Sequence, residues 1–246
     1  MASSLRLSGV SSVNPLIPAP PPRDDEAVWA FFGKDTTYSR NRSLGGAAFA
    51  NIGAGPEYLA DPPYGRFEGN DVASLLTGVN ITHTGFSFAA VFRSVAGGSG
   101  AVYRMIGSYT NDGIGSTVYM QMTSTGLLQL NGTSVGGGTD TQASIQTSFP
   151  ANNNWRFVCG HLGDQGNITV YDLTDDVVST DGGSGNDCAT NYPATYLAIG
   201  QGVAGVPRTM DLPFAAIWTA AKPLEIFQQT RATVRAVLAL DGITGF

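Results

Sequence analysis

Residues 155–162 read WRFVCGHL, 168–173 ITVYDL, 196–200 YLAIG and 214–218 FAAIW, after which the period changes and 223–240 read PLEIFQQTRATVRAVLAL. In the first run Trp155, Phe157, Cys159 and His161 fall on one face, the two-residue repeat of a strand. ITVYDL alternates in the same way and pairs naturally with it, and the following Asp175 and Asp176 stand where a turn is due. The last run is helical. Pro223 suits a first helical turn, where its missing N–H is not needed, and Leu224, Phe227, Val234 and Leu238, joined by Ile226 and Val237, recur at spacings of three and four. Asp241 and Gly242 end it. Short alternating strands closed by one amphipathic helix of about 17 residues read as a β-sandwich with a lid.

Upstream, the same grammar repeats. In residues 86–92, FSFAAVF, Phe86, Phe88, Ala90 and Phe92 share one face and Ser87, Ala89 and Val91 the other, which reads as a half-buried strand. AVYRMIGSY, STVYMQMT and LLQLNGTS follow, separated by NDGIGS and STG and ended by a GGGTD loop, turn sequences that accept positive φ. Strand starts recur about every ten residues, the spacing of sandwiches and barrels. An aromatic strand begins near Val28, and Gly/Ala/Pro-rich sequence then runs to Arg66, with Pro62 and Pro63 ahead of Tyr64. Residues 27–246 are therefore expected to form one all-β domain with a closing helix at about 223–240.

Residues 1–26 differ. Pro15, Pro18, Pro20, Pro21 and Pro22, followed by Arg23, impose extended polyproline geometry and remove the backbone donors a core strand needs. This segment reads as an N-terminal arm suited to anchoring the domain on another subunit.

Composition narrows the function. Charged residues are 13% of the chain and glycines number 32, so Ser, Thr, Asn, Gln and backbone must cover much of the surface. The net charge of −6, with no basic stripe, argues against nucleic acid, whose binding draws on clustered Lys and Arg. No apolar run is long enough to cross a bilayer, and MASSLRLSGVSS lacks a signal peptide's charged and apolar regions. Membrane insertion is not expected. Cys159 in a strand and Cys188 in a polar loop are too few for a disulfide framework, and with His83 and His161 they offer no metal spacing.

In order, Trp155 to Val158, Ile168 to Asp172, Leu197 to Gly200, Asp211 to Trp218 and Pro223 to Ile226 resemble the successive strands and closing helix of concanavalin A-like, laminin-G-like jelly rolls. The resemblance covers about residues 80–240 and implies two antiparallel sheets, with one concave face and a rim of loops for carbohydrate or protein ligands. The proline-rich arm, glycine-rich composition and closing helix are similar to laminin-G-like tail, fibre and head-decoration proteins of tailed phages. That similarity implies a structural or adhesin subunit of a virion, assembled in the host cytoplasm, contacting other virion proteins and copies of itself as a trimer, with cell-surface glycan as a further partner. A free lectin-like domain is the alternative reading, and a glycan-cleaving enzyme a third.

Chemistry is sparse. Glycoside hydrolysis needs two facing carboxylates, and on this fold they stand as Glu-x-Asp-x-Glu. The four glutamates, Glu26, Glu57, Glu68 and Glu225, do not form that pattern. Asp172, Asp175 and Asp176 are the nearest acidic cluster. No Gly-x-Ser-x-Gly elbow is present. No catalytic residue is assigned and no cofactor is expected. Calcium could be held by the oxygen-rich loops at Asn111 and Asp112 and at 181–187, although Asn and Asp there also satisfy turn chemistry. Tyr64, Tyr109 and Tyr192 at loop edges could stack on the apolar face of a sugar ring, and with Asn111 and Asp112 they form the expected ligand-binding set.

Overall fold

In the computed structural model the described residues are 25–68, 73–81, 85–97, 102–109, 118–132, 141–147, 154–163, 167–181, 196–200 and 208–246. In chain order the strands are β1 (Glu26–Phe31), β2 (Ala50–Gly53), β3 (Glu57–Ala60), β4 (Pro63–Glu68), β5 (Ala73–Asn80), β6 (Phe86–Gly97), β7 (Val102–Tyr109), β8 (Val118–Thr123), β9 (Leu127–Gly132), β10 (Thr141–Gln146), β11 (Arg156–Leu162), β12 (Ile168–Asp172), β13 (Val177–Asp181), β14 (Tyr196–Ile199) and β15 (Arg208–Trp218). One helix among the described residues, α1 (Leu224–Leu240), follows. Glu26, placed at the end of the arm by the sequence, is the first residue of β1.

The strands hydrogen-bond in the order β10-β9-β8-β7-β14-β5-β4-β15-β6-β11-β12-β13, with β1 joining β15, β2 joining β5 and β3 joining β4. Pairing is antiparallel throughout, including the expected β11–β12 hairpin, in which Cys159 lies opposite Tyr171. The sheet rolls up until β9 and β10 lie against β12 and β13, giving the two facing layers of a jelly roll. Between the layers Phe88 and Phe92, Met120, Leu130, Val170, Ile199 and Ile217 fill the interior.

A second apolar layer lies outside the sheet. Trp29 and Phe31 of β1, Phe157 of β11, Phe214 and Trp218 of β15 pack against Phe227, Val234 and Leu238 of α1 and against the terminal Ile243 and Phe246. The helix is a lid, as its stripe predicts, and Pro223 stands at its N-cap with extended backbone. Because the helix covers this face, β6 is buried on both sides: Phe88 and Ala90 face the interior, Ala89 and Val91 the outer layer. The half-buried expectation for β6 is thereby corrected. Full burial of a side chain such as Phe227 stabilises by about 2–3 kcal/mol.

Strand β15 extends well beyond the FAAIW expected from its alternation. Its first part, Thr209 to Leu212, pairs with β4, and its second, Phe214 to Trp218, pairs with β1. A register irregularity against β6 between Asp211 and Phe214 separates the two parts. Pro213 sits at that break, where no ladder donor is needed, and its carbonyl accepts from Phe32 N–H at 2.9 Å. The break also switches parity, so Met210, Leu212, Ala215 and Ile217 all face inward. Strands β2, β3 and β4 arise from the Gly/Ala/Pro-rich segment that alternation does not mark. Asp61 and Pro62 form the two-residue turn between Ala60 and Pro63.

Candidate functional site

Tyr64 extends from β4, but its ring is buried at 5% exposure, packed 5.7 Å from Trp155. Arg93 of β6 lies over both rings, 4.3 Å from the Trp155 centroid and 5.1 Å from that of Tyr64. Asp211 of β15, fully buried, joins the group. It accepts from Arg66 Nε at 2.9 Å through Oδ1 and from Arg93 Nη2 at 2.9 Å and Nε at 3.0 Å through Oδ2. Arg66 Nη2 also donates to the Tyr64 hydroxyl at 3.2 Å. Adjacent strands β4, β15 and β6 thus place Arg, Asp and Arg side by side on the outer face, with an aromatic pair beneath. Tyr64 stands beside the Asp61–Pro62 turn, but its ring is packed against protein groups and leaves little surface for a sugar.

A second buried carboxylate is held in the same manner. Asp172, at the end of β12, accepts from Arg156 Nε at 2.8 Å and from the backbone N–H of Thr174 at 2.9 Å. Arg156 also pairs with Asp175, in the turn where Asp176 takes a positive φ of 54°. Burial pushes the Asp172 carboxyl up, and the Arg156 charge beside it pulls it back down. Cys159 is a free thiol beneath the helix, and burial raises its pKa well above the usual thiol value, so it is a packing group there and not a nucleophile. His161, half-buried, stacks parallel to Phe227 with centroids 6.5 Å apart, and its Nδ1 is buried without a hydrogen-bond partner. Burial lowers its pKa, while a hydrogen bond to the Lys222 backbone acts in the opposite direction. Among the described residues, no group of three or more His, Cys, Asp or Glu is placed to hold a metal ion.

A polar cleft of about 390 Å³ opens where β1 begins, lined by Asp25 and Glu26, the loop from Leu44 to Ala47, the end of β5 from Thr77 to Asn80, and Thr219. Its walls are fastened from several sides. The Asp25 carbonyl accepts from Thr219 N–H at 2.8 Å, and the Asp25 carboxylate is ion-paired with Lys222. Asn41 ties the loop to β1: its Nδ2 donates to the carbonyls of Ala27 at 2.9 Å and Ala47 at 3.1 Å, and its Oδ1 accepts from Trp29 N–H at 3.1 Å and Ser43 Oγ at 2.9 Å. A Cβ at Gly46 would collide with the Asn41 amide, so only glycine permits this close approach. Leu44 stands at the rim 82% exposed, and Asn80 Oδ1 is buried without a partner. Alternation and motif reading miss this cleft, because its residues come from segments tens of positions apart and share no spacing.

Of the expected ligand-binding set, only Tyr64 is described in full. The backbone of Tyr109 ends β7 opposite Tyr196. Asn111, Asp112 and Tyr192 lie outside the described residues, as do Pro15, Pro18, Pro20, Pro21, Pro22 and Arg23 of the arm, His83, Cys188 and nearly all of the loop at 181–187. No helix among the described residues is long and apolar enough to cross a membrane.

No family model matches the sequence, and no curated protein matches it. Solved structures do. The binding domain of botulinum neurotoxin DC in complex with SialylT superposes with a TM-score of 0.61 at 14% identity, over 85% of this chain and 52% of that one. The same domain in complex with rat synaptotagmin II gives 0.63 at 14% identity, over 86% and 52%. The binding domain of Paraclostridial Mosquitocidal Protein 1 gives 0.64 at 12% identity, over 84% and 52%. The chain shares their fold. It spans about half the length of the chains it matches, and at these identities the likeness is one of architecture.

Proposed function

We propose that the protein is a non-catalytic recognition module: a structural or adhesin subunit displayed on a phage-like particle, which holds glycans of the target cell without altering them. The observation that supports the recognition part of this reading is the rolled sheet, which aligns over 84–86% of the chain with binding domains, one of them solved in complex with SialylT and with rat synaptotagmin II. The site chemistry supports it. Asp211 is held by two arginines, and Asp172 shares Arg156 with its neighbour Asp175, so these carboxylates serve in structural ion pairs. In this reading residues 1–26 anchor the domain to other virion proteins and to two further copies of itself, leaving the sheet outward.

A glycan array probed with the full chain tests recognition, and gold-labelled antibody on particles purified from producing cells tests display. Retention of a defined subset of glycans and labelling of the particle surface are the expected results. An array blank at micromolar protein would overturn the recognition reading. Retention with unlabelled particles would leave the free lectin-like alternative standing in place of the virion subunit.

A further inference from the structure

We infer that the outer face of α1 is a self-association surface, on which a second copy of this chain lays the same helix antiparallel about a two-fold axis. The inference goes beyond the recognition reading above and does not depend on it.

The inner stripe of α1 is buried in the domain. A trough of about 560 Å³ runs along the outer face, lined among the described residues by Gln228, Arg231, Ala232, Arg235, Ala236 and Ala239. All six are exposed except Arg231, which is partly so. Gln228, Ala232, Arg235 and Ala239 stand four, three and four positions apart, the spacing of a seam along which one helix follows another. The alanines let two helix axes approach to about 8 Å, the near end of helix packing.

Side-chain size fixes the partner and its direction. Along the chain the six residues run long, long, small, long, small, small, so the pattern is complementary to its own reverse. With a two-fold axis between Thr233 and Val234, Gln228 meets the partner's Ala239, Arg231 the partner's Ala236 and Arg235 the partner's Ala232. Each long side chain then lies over an alanine. A parallel copy would set arginine on arginine and alanine on alanine, leaving clashes beside gaps. Complementarity of a surface to its own reverse is what an isologous contact requires.

Charge agrees with this pairing. The chain carries −6 overall, so two copies repel unless they meet where cations lie. Arg231 Nη1 stands 3.7 Å from Asp176 Oδ1, and that aspartate side chain is 84% exposed. Arg235, one turn further along, makes no ion pair among the described residues. In the antiparallel pair the partner's Arg235 lies beside Arg231, within reach of the exposed side of Asp176. Each Asp176 then bridges two guanidiniums across the contact, as Asp211 does within the sheet. One helix face buries less than the roughly 1,600 Å² of a standard interface, so the pair is weak in dilute solution and gains strength where copies are held close.

The test is cysteine cross-linking in the full chain, with Cys188→Ser in every copy and Cys159 left in place beneath the helix. Gln228→Cys and Ala239→Cys copies, one of them isotope-labelled, are oxidised separately and as a mixture at submillimolar concentration, and the linked peptides are weighed. Gln228 and Ala239 are eleven positions apart, about 16 Å along the helix, whereas a disulfide needs Cα atoms within about 7 Å. The mixture is therefore expected to form the mixed disulfide, and neither variant alone a dimer. Adding Ala236→Arg to both copies sets a second long cation against the partner's Arg231 and is expected to cut the yield about tenfold. All three positions are exposed, and circular dichroism confirms that each variant is folded. Disulfides within either variant alone, at yields equal to the mixed one, would overturn the antiparallel register. A mixture giving no more dimer than either variant alone, or a yield unchanged by Ala236→Arg, would overturn the contact.

Discussion

At the scale of single residues, Asp211 is the most constrained side chain on the outer face. One carboxylate with no solvent exposure bridges two guanidiniums, each about a quarter exposed, and those in turn cover Tyr64 and Trp155. Asp211→Asn leaves Arg66 and Arg93 side by side with no anion between them. The expected loss is about 2–4 kcal/mol, below the top of the range for fully buried pairs because water reaches both arginines. Chemical denaturation measures it, and a loss under about 1 kcal/mol would show that the ion triad contributes little. The same cluster explains why Tyr64 was misleading in the sequence. Pro62 and Pro63 before it suggest an exposed corner. The residues that bury it, Arg93 and Trp155, lie 29 and 91 positions further on, and no local pattern announces them.

At the scale of elements, α1 is the piece whose sequence and structure agree most closely. Its stripe of Phe227, Val234, Val237 and Leu238 is buried, and Gly242 follows with a φ of 78°. Its periodicity is local and strong, which is why it is legible. The strands it covers are less so: Ala89 and Val91 alternate with phenylalanines in a pattern that does not reveal whether the weaker face meets water or a helix. Strands β2 to β4 are silent because glycine, alanine and proline carry little alternation, and their pairing partners supply the order. The helix also sets a pH response through His161, which stacks on Phe227 and lies near the α1 entry at Lys222. In the unfolded chain this imidazole titrates near 6.5, and in the fold burial holds it lower. Between those two values the unfolded state binds more protons, so stability falls as the pH drops through 6.5 toward the folded value. Unfolding free energies measured from pH 7.5 to 5 should decline more steeply in the wild type than in His161→Gln. Parallel slopes would contradict this.

At the scale of the whole molecule, the antiparallel jelly roll and its closing helix were legible because the order of several weak motifs is itself informative. The cleft was not. Asp25, Leu44, Asn80 and Thr219 are joined only by the roll of the sheet, which brings the start of β1, the end of β5 and the chain after β15 to one place. The proposed function requires that this architecture hold a glycan and leave its bonds intact. The most direct test incubates the full chain with an array-selected glycan, recovers the bound fraction, and weighs it by mass spectrometry in oxygen-18 water. The prediction is a glycan retained on the protein with its mass and linkage unchanged. Shortened products carrying the heavy oxygen would contradict it, because they would require a hydrolytic carboxylate pair.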